Sequence, residues 1–459
     1  MIGGGLLGVF AARGLARYDL KVALLERADD LCTGISRANT AIVYSGCDTK
    51  PDTLKTSMCV RAAQNFAKLC EELGVRYSNC GSIMVTFGER GAGVLRKKLE
   101  QGIRNGVRDM RLLTRDEVLA LEPNIAANVH SGLYVPDTGT VNPWELGLAA
   151  AENAADNGVH IILNTEVMAI SRIDDGFEVK TNHETSLYAR GIINCAGMNA
   201  DKVLEMAADP IVRISPTAGD YFVLDTKTSG HIRHVIFHET DEKGKGVTLV
   251  PTVDGNILIG PTERPDDGDF QTSLDGLAEL RGLVAEVMPT LPMEQVIRSF
   301  GAVRPNPRIV AEDRSVSDFS IVELESAFIS LVGIKTPGLT CANDLGLYVS
   351  DKIAQKLGAD LRPDYNPRRS GPVRLSELSF DERAELIAKR PEYGRIICRC
   401  RGVSEGEITD AIRAGAVTPD GVKRRTGAGS GRCQGGFCAQ RVIEILAREL
   451  GCDPQEIIM

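Results

Sequence analysis

Four of the twelve cysteines stand together near the carboxyl end, as Cys398-Arg-Cys400 and Cys433-Gln-Gly-Gly-Phe-Cys438, with 32 residues between the pairs. Thiolates in two close pairs are metal ligands, and four of them satisfy either a tetrahedral zinc or an iron–sulfur cluster. Structural zinc favours C-x-x-C knuckles, so C-x-C and C-x4-C tilt toward iron–sulfur and leave zinc open. Lys423, Arg424, Arg425 and Arg432 precede the second pair. They would offset the negative charge of a thiolate-bound cluster, and the glycines among them offer N–H groups to its sulfurs. A solvated face would carry the same basic residues. The other cysteines are scattered among apolar neighbours, as buried small hydrophobes are. This usage in a long chain is not a disulfide scaffold and points to a reducing compartment, the cytoplasm.

A second chemical signal opens the chain. Gly3-Gly4-Gly5-Leu6-Leu7-Gly8 fits G-x-G-x-x-G. In that pattern Gly3 makes the tight turn, Gly5 lets the backbone approach a pyrophosphate, and Gly8 lets a helix pack on a strand. Residues 6–17 then form a helix whose amino end faces phosphate. Lys21-Val-Ala-Leu-Leu25 is a short β-run closed by Glu26, 18 residues after Gly8. A carboxylate there accepts hydrogen bonds from ribose hydroxyls. Only Met1 and Ile2 precede Gly3, where a central strand of about 5–6 residues belongs. The expectation is therefore a mis-called start, with a Val/Ile-rich run encoded just upstream.

Three further segments extend the signal: Gly34-Ile-Ser-Arg-Ala-Asn-Thr-Ala-Ile-Val-Tyr-Ser-Gly46, Gly191-Ile-Ile-Asn-Cys-Ala-Gly197 and Gly333-Ile-Lys-Thr-Pro-Gly-Leu-Thr340. With the fingerprint they resemble the D-amino-acid-oxidase-type flavoprotein family over about residues 1–360. The resemblance implies FAD, held by Gly3, Gly5, Gly8, Glu26, Ser36, Arg37, Asn39, Thr40, Gly197, Gly333, Gly338, Leu339 and Thr340. It implies an α/β, Rossmann-like cofactor part of the glutathione-reductase type (about 1–80, 145–205 and 325–360). An antiparallel β substrate part (mainly 81–144 and 206–324) would cover the flavin. A helix from about 340 to 357 would point its amino end at the reduced flavin.

Residues 361–374 carry three prolines and four arginines, and 361–394 reads as a linker. Residues 395–450 resemble the bacterioferritin-associated-ferredoxin-like [2Fe-2S] module, a small helical domain whose ligands would be Cys398, Cys400, Cys433 and Cys438. A flavin domain joined to such a module resembles the catalytic subunit of anaerobic-type glycerol-3-phosphate dehydrogenases, and also the flavoprotein subunits of opine and hydroxyproline dehydrogenases. The pairing implies substrate oxidation by hydride transfer, with electrons passed on singly to a partner subunit or a quinone-linked acceptor.

On the substrate side, Arg304 in Gly301-Ala-Val-Arg-Pro305 matches the family's anion-clamping arginine. Lys335 matches the lysine of the Gly-Gly-Lys turn in glycerol-3-phosphate dehydrogenases. The residues after it, Thr336-Pro-Gly-Leu-Thr340, are closer to hydroxyacid and amino-acid oxidases, and lack a second basic residue for a phosphate. For the proton acceptor the candidates are His238, just before a Gly-rich turn at 243–246, and Tyr221, as a residue lining the pocket.

These parts need positioning elements. The spacing predicts helices over 57–73, 95–106, 143–157 and 273–288, and β-runs at 82–87, 161–164, 167–173, 177–181 and 192–197. The 459 residues carry 53 Lys+Arg against 62 Asp+Glu, a net −9, which argues against a nucleic-acid binder. No apolar run approaches the ~18–20 residues that span a bilayer, so any membrane contact, at the inner face, is peripheral. The expected function is an FAD-dependent dehydrogenase of a small anionic alcohol or amine, of the glycerol-3-phosphate type. The alternatives are an L-2-hydroxyglutarate or other 2-hydroxyacid dehydrogenase, an amino-acid or opine dehydrogenase, and a non-catalytic electron-transfer or iron-sensing protein.

Overall fold

The computed structural model describes residues 1–240, 246–265 and 270–457. Met1–Gly3 fills the place where a central strand was expected. Ile2 N donates to Ile193 O (3.0 Å) and Cys195 N to Ile2 O (2.8 Å) on one side. On the other, Leu25 N donates to Met1 O (2.9 Å) and Gly3 N to Leu25 O (2.8 Å). The sheet runs His160–Ile162, Ala23–Leu25, Met1–Gly3, Ile192–Asn194, Phe328–Leu331 and Ile321–Glu323, parallel except at the last strand. Parallel strands covered on both faces read as continuous apolar runs, and Ile192–Asn194 and Phe328–Leu331 are buried throughout.

Helix Leu6–Leu15 leaves the sheet at Gly5 and is gripped by two others. Ala342–Leu357 crosses it so closely that a Cβ on Gly346 would lie 2.6 Å from the Phe10 carbonyl carbon. The Ala-rich helix Pro143–Asp156 packs Ala149, Ala150 and Ala154 into the same core, and Asn142 caps it. Gly5 brings no side-chain cap to the first helix. The cap comes from a distant segment instead: Leu6 N donates to Ser36 Oγ at 2.9 Å.

A second, mostly antiparallel sheet of ten strands lies beyond. Its longest strands, Val212–Leu224 and Val296–Ile309, pair along nearly their whole length with Thr217 opposite Arg304. The sheet continues through Ile257–Gly260, Thr248–Pro251, Val235–His238, Ser82–Thr86, Ser131–Val135 and Arg111–Thr114. Helix Leu274–Val287 buries Leu280, Val284 and Val287 against Phe222, Leu224, Ile257 and Ile259.

The stretch read as a linker is not slack chain. The protein forms two compact units, Met1–Arg369 and Ser370–Met459. Residues up to 369 strap onto the first: Arg362 N donates to Arg17 O (2.8 Å), Asn366 N to Asn157 Oδ1 (2.8 Å) and Arg369 Nε to Glu152 Oε2 (2.6 Å). The rest opens the second unit, with helix Phe380–Lys389 started by a Ser379–Glu382 capping box. In that unit helices Glu405–Arg413, Pro419–Thr426 and Ala439–Leu450 enclose Ile408, Ile412, Val422, Val442, Ile445 and Leu446. Buried Tyr393 donates to Asp410 (2.6 Å), which also accepts two bonds from Arg390.

At Gly8 an added Cβ would lie 1.8 Å from Gly3 O, so the helix must lift from the sheet. Gly8→Ala is expected to cost about 1–3 kcal/mol and to start thermal unfolding several degrees lower by circular dichroism. Gly34→Ala, where a Cβ meets nothing within 4 Å, should melt like the parent.

Candidate functional site

A cavity of about 950 Å³ opens at the carboxyl ends of the parallel strands, where Gly3, Glu26 and Cys195–Gly197 follow Ile2, Leu25 and Asn194. Ligands of open parallel sheets sit there. Gly3 has φ +99°, and a Cβ on it would lie 2.5 Å from Cys195 O. Glu26 turns back into the glycine loop: Gly4 N donates to its Oε2 (2.6 Å) and Ala28 N to its Oε1 (2.9 Å). A glycine turn, a helix amino end and a carboxylate at a strand end form a cradle that fits a dinucleotide.

Of the residues expected at the cofactor, Gly3, Gly5, Glu26, Ser36, Arg37, Asn39, Thr40, Gly197, Gly338 and Leu339 line the cavity. Gly8, Gly333 and Thr340 stand behind it. Gly8 seats the helix. Gly333 has φ +66°, and a Cβ there would lie 2.8 Å from Pro305 O, so it admits the strand Val296–Ile309. Thr340 Oγ1 accepts from Tyr44 N at 2.9 Å. Asn39 shapes its own segment, bonding Ser36 O and Ala41 N.

The far end of the cavity is cationic. Arg304 and Lys335 both line it. Burial, then the Arg304 charge, lowers the pKa of Lys335, and Glu263 opposes this. Lys335 Nζ donates to Asn306 Oδ1 (2.9 Å), and Asn306 Nδ2 to Thr217 Oγ1 (3.0 Å). Arg304 Nη1 lies 3.2 Å from Glu263 Oε2, a carboxylate that is 50% exposed. Tyr221 stacks on Phe300, centroids 4.7 Å apart, and burial pushes its phenol well up.

His238 stands apart from this group. Strand alternation turns Phe237 toward the cavity and His238 away. Its ring meets Phe87 edge-on and its Nε2 lies 3.8 Å from Glu286. Among the described residues no histidine lines the cavity. His234 Nδ1 sits 2.7 Å from the buried Glu122, and His231 Nδ1 3.1 Å from Thr228 O. Of the turn at 243–246, only Gly246 lies within the described residues.

Sequence reasoning passed over Tyr44, Asn306 and Glu263. Tyr44 lines the cavity with its hydroxyl 3.4 Å from Thr40 Oγ1. Burial pushes it up to about 12, so it is a hydrogen-bond donor at neutral pH. It lies in the polar segment that ends at Gly46. Asn306 follows Arg304 by two on one strand, the period that shares a face.

In the second unit, Cys398 ends the strand Ile396–Cys398 and Cys400 lies in the turn after it. Cys438 begins the helix Ala439–Leu450. Cys400 Sγ and Cys433 Sγ are 3.6 Å apart, close to the spacing of two sulfurs on one tetrahedral metal at about 2.3 Å bonds. Burial, then the neighbouring Cys398 thiol, pushes Cys438 up to about 12, so a cation is needed to hold these thiolates together. Gly431 lets the chain pass Cys400, since a Cβ there would lie 2.5 Å from Cys400 Cβ. Among the described residues no three thiols, imidazoles or carboxylates converge on a single ion. Of the nearby cations, Lys423 bonds Asp420 (2.9 Å) and Arg425 bonds Gly421 O (3.1 Å).

Comparison with known proteins agrees with both cofactors. Residues 1–352 match the model of FAD dependent oxidoreductases, and residues 396–448 that of the BFD-like [2Fe-2S] binding domain. The chain is 40% identical to a glycerol 3-phosphate dehydrogenase of Caloramator mitchellensis, across 100% of this chain and 95% of that protein. It is 25% identical to an L-2-hydroxyglutarate dehydrogenase of Escherichia coli, over 83% and 99%. The crystal structure of dithionite-reduced L-alpha-glycerophosphate oxidase from Mycoplasma pneumoniae with FAD bound superposes with a TM-score of 0.75 at 28% identity, over 81% of this chain and 98% of that one.

Cys433→Ser is expected to abolish the visible absorbance of the cluster and most of the bound iron. The flavin, held by the other unit, should remain and still bleach with substrate. Iron analysis and the absorption spectrum check both.

Proposed function

Since the chain belongs to the family of FAD-dependent oxidoreductases and joins it to a BFD-like [2Fe-2S] domain, we propose that it oxidises glycerol 3-phosphate at a CH–OH carbon and delivers the electrons to an acceptor outside the chain. The observation that carries this reading is the meeting of Arg304 and Lys335 at one end of the cavity. When bound, the isoalloxazine accepts hydride and the cluster carries single electrons. The chain's own groups bind and orient. A guanidinium fork and an ammonium, drawn from different segments, suit a phosphate with three acceptor oxygens. Lys335 thus finds in Arg304 the second cation that its own turn lacks. Glu263 balances Arg304 until an anionic substrate takes its place, and its exposure lets it turn to water. Asn306 holds the Lys335 Nζ, and the Tyr44 and Tyr221 phenols, protonated at neutral pH, donate to substrate oxygens. We place the protein in the cytoplasm, with any membrane contact peripheral. No described helix is long and apolar enough to cross a membrane.

The second reading is a 2-hydroxyacid or amino-acid substrate, because the same two cations clamp a carboxylate. Anaerobic addition of glycerol 3-phosphate, L-2-hydroxyglutarate or an opine separates the readings. Bleaching by glycerol 3-phosphate alone is expected. Bleaching by a carboxylate substrate instead would move the assignment, and none with any of them would leave an electron-transfer role. Arg304→Ala is expected to lower kcat/KM about 10–100-fold through loss of a charged hydrogen bond worth about 1.5–3 kcal/mol. Substrate binding needs protonated Lys335, whose pKa is lowered from 10.5. So kcat/KM should fall as pH rises, and should do so below the pH at which an ordinary lysine titrates. Lys335→Arg, which does not titrate there, should remove that alkaline limb.

A further inference from the structure

We propose that Phe437, within a basic rim at the thiol site, is the docking point for an acidic one-electron carrier protein. The inference rests on the reading that electrons leave this chain through the cluster.

Phe437 is 89% exposed although the module has an apolar core. It is not on a slack loop. Gln434 and Gly435 turn the chain with φ of 47° and 88°. Gly436 N then donates to Cys433 O (2.9 Å) and Cys438 N to Gly435 O (3.1 Å). The ring is therefore held out into water by an ordered backbone, in the loop that starts at Cys433. That loop lies on the open edge of the site: Cys400 is exposed and Cys433 half-buried, while Cys398 and Cys438 are buried. The ring and the most accessible thiols belong to one surface.

Charge selects the partner. Residues 395–441 hold nine Lys and Arg against four Asp and Glu, in a chain of net charge −9. Arg399 lies between Cys398 and Cys400, Arg432 precedes Cys433, and Arg441 lies in the first turn after Cys438, all exposed. Three of the acids are held in ion pairs, Glu405 with Arg395 (2.5 Å) and Arg448 (2.8 Å), Asp410 with Arg390 and Asp420 with Lys423, and Arg399 and Arg441, near the cysteines in sequence, lie outside those pairs. An aromatic anchor with an arginine rim is the composition of an interface hot spot, and a basic rim steers an acidic partner. A second copy of the chain would bring the same positive rim and be repelled. A membrane would need a larger apolar face, and Val442, Ile445 and Leu446 of the adjacent helix are spent in the core. Each encounter moves one electron from the reduced cluster to the carrier. Two encounters discharge one substrate oxidation, with the carrier as oxidant.

The test uses full-length protein loaded with FAD and cluster and reduced by stoichiometric dithionite, so it does not depend on the substrate. Stopped-flow mixing with acidic cytochrome b5 and, separately, basic cytochrome c reads the transfer. Cytochrome b5 should be reduced faster at low ionic strength and lose that advantage with salt. Phe437→Ala should slow it about tenfold, the effect of one hot-spot side chain, with the cluster spectrum unchanged, and Phe437→Trp should restore it. Arg399→Glu with Arg441→Glu should slow it and flatten the salt dependence. A preference for cytochrome c, or a parental rate in Phe437→Ala, would overturn the proposal. So would loss, in Phe437→Ala, of co-sedimentation with phosphatidylglycerol vesicles or of self-association, with carrier reduction unchanged.

Discussion

The cofactor unit depends on the pairing of three residues. Met1–Gly3 is hydrogen-bonded to Leu25 on one side and to Ile193 and Cys195 on the other. Both neighbouring strands therefore find their backbone partners through Met1–Gly3, and buried backbone groups without partners are costly. The same pairing sets the direction of Gly3, where the chain must reverse from strand to helix at φ +99° beside Cys195 O. From there the geometry propagates. The helix is set down on Gly3 by Gly8, capped from outside by Ser36, and gripped by Ala342–Leu357 through Gly346. The segment 34–46 is thus both a wall of the cavity and part of the helix cap.

Most of this scaffold was legible because its signals are local. Glycine spacing, an Ala-rich run and alternating apolar strands report their own structure. The predicted helix at 273–288 is Leu274–Val287, and that at 143–157 is Pro143–Asp156. Long-range pairing left fewer marks. Only two residues precede Gly3, and that Met1–Gly3 pairs on both flanks, with Leu25 on one side and with Ile193 and Cys195 on the other, is a long-range fact that spacing along the chain does not report. The first part of the stretch read as a linker left no mark of its partners either: residues 361–369 looked like a spacer, yet their bonds go to Arg17, Asn157 and Glu152, far off in sequence.

The site shows the same division. Arg304 and Lys335 stood out by motif, and the fold brings them to one cavity. Tyr44, Asn306 and Glu263 did not stand out, because each matters only through a neighbour that folding supplies. His238 drew notice for its residue type, but orientation on a strand is binary, and Phe237 takes the side that faces the cavity.

The charge balance of the cavity explains how two cations coexist in a partly closed space. Burial first, and the Arg304 guanidinium second, make Lys335 hold its proton less firmly. Glu263 relieves part of this while facing water, and Asn306 orients the amine without adding charge. A buried carboxylate in place of Glu263 would satisfy the cations permanently and shut out an anionic ligand. A neutral residue would leave them uncompensated between turnovers. A half-exposed carboxylate meets both conditions, since its return to water is cheap. On the proposed function the substrate would be the counter-ion that completes the site, and the same argument covers phosphate and carboxylate ligands alike. What favours phosphate is that the two cations come from different segments, Val296–Ile309 and the turn after Gly333, so that they can meet separate oxygens of one tetrahedral group.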